Sequence, residues 1–163
     1  MDNLIIFCAK YLFLAVVALY FLAIIQASPK HRKALVIAFV VAGGVAVVLD
    51  KIAGRLYYDP RPFISHHLKA LIDHNPDNGF PSEHTVLTTT ISAALIYYRR
   101  QLGILAFGLA LLVGIGRVAA HVHSPIDIFG GILIGIAAGS SGYYLAERLL
   151  SSKRYGGRPV DSR

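Results

Sequence analysis

Five apolar runs, each near the length that crosses a bilayer, leave this chain few folds to choose from. A membrane-crossing helix needs about 20 mostly apolar residues, within a range of roughly 17–25. Residues 4–25 qualify, interrupted only by Lys10. Residues 34–49 are somewhat short but reach position 53 if Asp50 and Lys51 lie at the membrane edge. Residues 84–98 form the shortest run and open with Thr85, Thr88, Thr89 and Thr90. Such hydroxyls can bond back to their own helix, so they do not exclude a span. Residues 102–120 and 126–150 are plainly apolar. The expectation is an all-α, polytopic membrane bundle of about five helices. One membrane-embedded domain fills residues 1–150, and a polar, disordered, cytoplasmic tail follows over 151–163. Gly131, Gly135 and Gly139 recur every four residues, on one helical face where another helix can approach closely.

Composition agrees. The 163 residues are 55% hydrophobic with a mean hydropathy of +0.58, too apolar for an ordinary soluble domain. The net charge is +7, but the basic residues gather at the ends of the apolar runs. That pattern fits lipid headgroups and a topology signal, not a nucleic-acid face. Cys8 is the only cysteine, so no internal disulfide is possible, and it reads as a small buried hydrophobe. The N-terminus lacks a basic leader and a small-residue cleavage site, so the first run is expected to be retained.

Loop charge sets the orientation. Lys30, Arg32 and Lys33, then Arg99 and Arg100, then Arg148, Lys153, Arg154, Arg158 and Arg163 all fall on one side of a five-span chain. That side is the cytoplasm by the positive-inside rule. The connections 50–84 and 117–127 then share the other face.

Those two connections carry the chemistry. GRVAAHVHSPID holds Arg117, His123 and Asp127. A carboxylate four residues after an imidazole can fix its tautomer and leave the other nitrogen free to attack. Pro125 favours a helix start that puts Asp127 in the first turn. PSEH places Ser82 at a helix N-cap, with backbone N–H groups open to an anion, and His84 where it can protonate a leaving oxygen. KIAGRLYYDPRPF holds Arg61 between two prolines, a stiff mount for a charged fork, with Lys51 and Arg55 one helical turn apart. Singly, each cluster reads as a cap, a headgroup-level polar residue or a juxtamembrane basic patch. Together they can hold a phosphate, attack it and protonate what leaves.

In combination the clusters resemble the type 2 phosphatidic acid phosphatase and vanadium haloperoxidase superfamily. Its pattern is Lys, six residues, Arg-Pro; Pro-Ser-Gly-His; then Ser-Arg, five residues, His, three residues, Asp. Arg61-Pro62, then Pro81, Ser82 and His84, then Arg117, His123 and Asp127 match in order and spacing. Three positions depart. Gly54 stands where the Lys belongs, Gly116 replaces the Ser, and Glu83 replaces the Gly of the second motif. Lys51 and Arg55 are equal candidates for the missing charge. An acidic residue at position 83 is similar to the undecaprenyl diphosphatases of the bacitracin-resistance type.

The resemblance implies a helical-bundle lipid (di)phosphate phosphohydrolase of the bacterial inner membrane, with its site facing outward and needing neither metal nor cofactor. His123 would attack phosphorus, oriented by Asp127. Arg61, Arg117 and Ser82 would hold the oxygens, with Lys51 or Arg55 helping. His84 would protonate the leaving group, and Glu83 marks the branch. Undecaprenyl diphosphate is the expected substrate. Rivals are another lipid phosphate (phosphatidylglycerol phosphate, phosphatidic acid or lipid A) or an inactive membrane scaffold or transport subunit. Oligomeric state is not legible. His66, His67 and His74 fit no regular metal spacing and read as a solvated loop.

Overall fold

The computed structural model describes residues 1–155, and every regular element among them is helical. The first apolar run is not one helix. It forms α1 (Asp2–Lys10) and α2 (Phe13–Gln26), bent by 42° at Tyr11 and Leu12. The cause lies in the backbone. The Leu12 N–H reaches back five residues to the Phe7 carbonyl, while Leu14 and Ala15 each reach back only three. A wide turn followed by tight ones is a recognised origin of helix kinks. The bend lays α1 against the far end of α6 (Arg100–Ala119).

Next, α3 (Pro29–Leu56) starts on a Ser28-Pro29 step, with proline in the first helical turn where its missing N–H costs nothing. It is longer than the apolar pattern indicated. The connection that follows contains α4 (Pro62–Ser65) and leads to α5 (Glu83–Tyr98). A single residue, Arg99, turns α5 into α6. The last helix, α7 (Pro125–Tyr155), extends the predicted fifth span, so residues 151–155 of the predicted tail are helical. Residues 156–163 lie outside the described part.

Among the described residues, α3, α6 and α7 up to Ser151 are each long and apolar enough to cross a membrane. The bent α1–α2 pair adds a fourth crossing if it counts as one span. The chain is a multi-pass membrane protein. The Thr-rich run differs in kind from its neighbours. At 16 residues α5 is short, and it is the innermost helix, packed against α2, α3, α6 and α7. Its hydroxyls do bond backward: Thr88 to the His84 carbonyl at 2.8 Å, Thr90 to Val86 at 2.7 Å and Ser92 to Thr88 at 2.7 Å. Each buried hydroxyl thereby finds an acceptor inside its own helix.

The glycine stripe of α7 lies on α5. A Cβ added at Gly131 would stand 2.9 Å from the Thr85 Cβ, and one at Gly139 would stand 2.8 Å from the Ala93 Cβ. Small residues let the two backbones touch, the contact that holds helices together where hydrocarbon offers no hydrophobic drive. One end of the bundle is closed by Tyr20, Leu35, Leu95 and Ala106, with the Tyr20 hydroxyl donating to the Leu35 carbonyl at 2.8 Å. Ala9, Ala120 and Val122 pack at the opposite end, where the polar clusters meet.

Candidate active site

The second and third motifs are stapled through their backbones. The Ser82 N–H donates to the Asp127 carbonyl at 3.1 Å, so the start of α5 and the first turn of α7 share a bond. The strand-like segment before α4 joins them: Pro60 pairs with Asn78, and the Gly79 N–H donates to the Asp59 carbonyl at 2.8 Å. Gly79 is required there, since a Cβ would come within 2.7 Å of the Asp127 carboxylate.

His123 sits in the tight turn between α6 and α7 and is 2% exposed. Its Nε2 lies 3.1 Å from Arg117 Nη2 and 3.3 Å from Arg61 Nη1. A guanidinium only donates, so Nε2 accepts and the proton is assigned to Nδ1. Nδ1 then donates to Asp127 Oδ2 at 3.1 Å. Asp127 is itself oriented by the Ser124 N–H at 2.9 Å, and the Ser124 hydroxyl donates to the Asp59 carboxylate. One ring nitrogen is thus oriented by a carboxylate and the other faces two cations. Burial, and then the charges of Arg117 and Arg61, pull the His123 pKa down to about 2. The imidazole is therefore neutral, and its Nε2 lone pair is turned toward the two guanidiniums and the cavity they line.

Both arginines are buried, at 5% and 3% exposure, and both are braced. Arg61 donates to Asp77 Oδ1 at 2.8 Å, to the Val122 carbonyl at 2.8 Å and to the Asn78 carbonyl at 3.2 Å. Arg117 donates to the Ala9 carbonyl at 3.3 Å, so the N-terminal helix is part of the site's frame. Two fixed guanidiniums flanking a neutral imidazole make an anion site suited to a tetrahedral oxyanion.

These groups open into a polar cavity of about 360 Å³, lined among others by Lys51, Arg55, Arg61, His84, Arg117 and His123. Ser82 does not line it. Its side chain is fully buried, makes no capping bond and accepts from the Thr85 hydroxyl at 3.2 Å. Asp127 likewise stands behind His123, not on the wall. Glu83 is exposed and pairs with Lys51 at 3.3 Å, while Asp50 holds the same ammonium at 3.4 Å. Arg55 makes no ion pair or hydrogen bond among the described residues.

Sequence reading missed several contributors. Asp77 and Asn78 carry no motif, yet they hold Arg61 and tie the loop to α3 through the Gly54 and Tyr57 carbonyls. His74, read as part of a solvated loop, turns inward instead and meets the His123 ring, with centroids 5.9 Å apart. His66 and His67 stay exposed. The short step from Asp77 to PSEH was the available signal, since whatever precedes Ser82 so closely must lie beside it.

The sequence profile of the PAP2 superfamily matches residues 33–150. The chain belongs to that superfamily. It is 35% identical over 144 residues to the bacitracin transport permease protein BcrC of Bacillus licheniformis, covering 84% of this chain and 70% of that one. It is 32% identical to the undecaprenyl-diphosphatase BcrC of Bacillus subtilis (strain 168), covering 85% and 72%. The crystal structure of Aquifex aeolicus LpxE superposes with a TM-score of 0.65 at 26% identity, over 87% of this chain and 82% of that one.

Two departures from the superfamily motif have packing causes. A Cβ at Gly54 would stand 3.1 Å from the Phe80 carbonyl oxygen, so the PSEH loop lies where a side chain would emerge. A Cβ at Gly116 would stand 2.8 Å from both Ala9 N and the Cys8 Cβ. There α1 occupies the space beside Arg117. The third departure, Glu83, faces the cavity and is paired with Lys51.

Proposed function

We propose that this protein is a lipid phosphatase that hydrolyses undecaprenyl diphosphate to undecaprenyl phosphate and phosphate through a phospho-His123 intermediate. The observation that carries the reading is the junction of two cavities. The polar cavity around His123 shares Asp50, Lys51 and Glu83 with an apolar groove of about 340 Å³ along α3 and α5. Phe39, Val47, Val86, Leu87 and Ile91 line that groove. A headgroup in the first and an isoprenoid chain in the second is the geometry a lipid diphosphate needs. The name of the Bacillus subtilis relative, an undecaprenyl-diphosphatase, favours the same substrate.

In this mechanism His123 Nε2 attacks the terminal phosphorus, and the P–O bond to the lipid phosphate breaks. His84, which lines the cavity, takes up a proton as the anionic headgroup enters, gives it to the departing oxygen and then takes one from the water that frees His123. Arg61 and Arg117 stabilise charge on the equatorial oxygens, the kind of pre-set electrostatic term that dominates such catalysis. They supply the positive charge that a metal would otherwise bring, so the reaction is proposed to need none. Ser82 acts through the backbone staple to Asp127, with its hydroxyl behind the wall. Phosphate release measured with EDTA present, across undecaprenyl diphosphate, phosphatidylglycerol phosphate, phosphatidic acid and lipid A, tests the reading. Preference for any substrate but the first overturns the assignment, and no release from any of them leaves a scaffold or transport role.

Arg55 is proposed to replace the motif Lys. Its guanidinium lines the cavity without an ion pair among the described residues, whereas Lys51 is held between Asp50 and Glu83. Arg55→Ala is expected to lower kcat/KM by about 10²-fold, the scale for one transition-state donor. Lys51→Ala should stay within about tenfold, a barrier change of roughly 1.4 kcal/mol. The reverse ranking moves the role to Lys51.

The site is proposed to face the extracytoplasmic side of a bacterial inner membrane. Single cysteines at His66 and Lys30, in a Cys8→Ala background, report this; both positions are exposed, whereas Asn78 is too deeply bonded to replace. A membrane-impermeant thiol reagent should label position 66 in intact cells with permeable outer membranes, and position 30 only after lysis. Labelling in the opposite order inverts the protein.

A further inference from the structure

His74 belongs to none of the three motifs, yet the fold delivers it to their centre. It lies on the long connection between α4 and α5 and shares the polar cavity with Arg61, His84, Arg117 and His123. Its ring meets the His123 ring edge to face, at 79°. The same side chain borders a second, outward cavity of about 490 Å³ with Asp73 and Asn75. His74 therefore stands between the reacting imidazole and the solvent side.

The position is held from both directions. Three residues upstream, the Leu71 N–H donates to the Ala120 carbonyl at 3.1 Å. Three residues downstream, Asp77 grips Arg61 at 2.8 Å. Both anchors belong to the frame that holds His123, so His74 and His123 keep one mutual geometry. A group placed in advance loses little entropy when it binds. Its Nδ1 is buried and makes no hydrogen bond of ordinary geometry within the protein among the described residues, the Asn75 backbone offering only a weak contact, and a buried polar atom in that state calls for a reason.

We propose that His74 is a further phosphate-contacting residue, whose ring N–H donates to a non-bridging oxygen of the phosphoryl group as it passes to and from His123. Arg61 and Arg117 reach His123 Nε2 from the protein side, and His74 adds a donor from the loop side. Burial and the charges of Arg61 and Arg117 lower its pKa, so it donates as a neutral ring and adds no positive charge to a site already holding two. The inference rests on the phosphatase reading but not on the identity of the lipid.

The competing role is plain packing, in which the ring only props His123. Two substitutions separate the roles: His74→Phe keeps the edge-to-face contact and loses the N–H, while His74→Asn keeps an N–H and loses the ring. With the lipid phosphate that wild type turns over best, His74→Phe is expected to lower kcat/KM by about 10²-fold, and His74→Asn by less than about tenfold. Orthovanadate serves as a substrate-independent probe, read both as inhibition and as a rise in thermal midpoint in detergent. The Phe variant should lose most of that rise and the Asn variant should keep it. A Phe variant within about threefold of wild type, with unchanged orthovanadate response, overturns the proposal. So does an Asn variant as impaired as Phe. If the Phe variant does not fold, His74→Ala takes its place, and equal activity of Ala and Asn overturns the proposal in the same way. Wild type that binds orthovanadate but spares undecaprenyl diphosphate would sink the substrate assignment and leave this test intact.

Discussion

His123→Ala is expected to abolish turnover while the protein still inserts and folds. The imidazole lies in the turn between α6 and α7, outside the helix–helix contacts that build the bundle. Its loss removes the atom that both arginines face, Nε2 at 3.1 and 3.3 Å. A drop in kcat of more than about 10³-fold is expected, on the scale that follows removal of a covalent nucleophile. Phosphate release by the purified variant within about tenfold of wild type, a 1.4 kcal/mol change in barrier, would remove His123 from the nucleophile's role. Asp127→Asn gives a finer reading. Asp127 Oδ2 accepts from both the Ser124 N–H and His123 Nδ1, so an amide oxygen in that place keeps both bonds while the negative charge behind the imidazole is lost. A large loss that is smaller than that of His123→Ala is expected, with folding unchanged.

Gly135→Leu is expected to have the largest effect on stability. The glycine faces the innermost helix, and an added Cβ would come within 2.8 Å of both the Thr89 Cβ and the Thr90 backbone nitrogen. Backbone cannot move aside as a flexible side chain can, so α5 and α7 must separate. The separation would also pull at the Thr89 hydroxyl, which donates across to the Gly131 carbonyl at 3.2 Å. Overpacking commonly costs about 1–3 kcal/mol and here should reach or pass the upper end, because a whole interface parts. Loss of monodisperse protein in detergent, or a large fall in thermal midpoint, is the expected result. Gly108→Leu is the control: nothing lies within 4 Å of a Cβ there, and a midpoint close to wild type is expected. Equal tolerance at both positions would show that the glycine face does not set the distance between α5 and α7.

Helical class, approximate spans and the polar clusters of the candidate site were legible because each is written in local chemistry. Apolar runs marked α6 and α7 by length alone, and α3 once its run is carried past Asp50 and Lys51. The four-residue step from His123 to Asp127, across a proline that starts a helix, anticipated a pair later found at 3.1 Å. The glycine spacing anticipated a close helix contact, and the threonines of α5 do bond within their own helix. What the runs did not reveal was the break at Tyr11 and Leu12. Hydropathy averages over a window and is blind to where the backbone hydrogen-bond step changes from five residues to three.

The sequence by itself determined which charged and polar side chains are on offer and that they lie between apolar segments, because residue type and spacing are properties of the chain. Only the tertiary structure decided who stands beside whom across long separations. It seats Arg61 on His123 across 62 positions, and it gives Arg117 the carbonyl of Ala9 across 108. It pairs Lys51 with Glu83 and leaves Arg55 facing the cavity, an asymmetry invisible in two cations one turn apart. It also turns His74 out of the solvated loop and into the site. The physical reason is common to all four. A buried charge or imidazole is tolerable only with partners, and those partners lie on whichever segments the packing of α1, α5 and α7 brings to that end of the bundle.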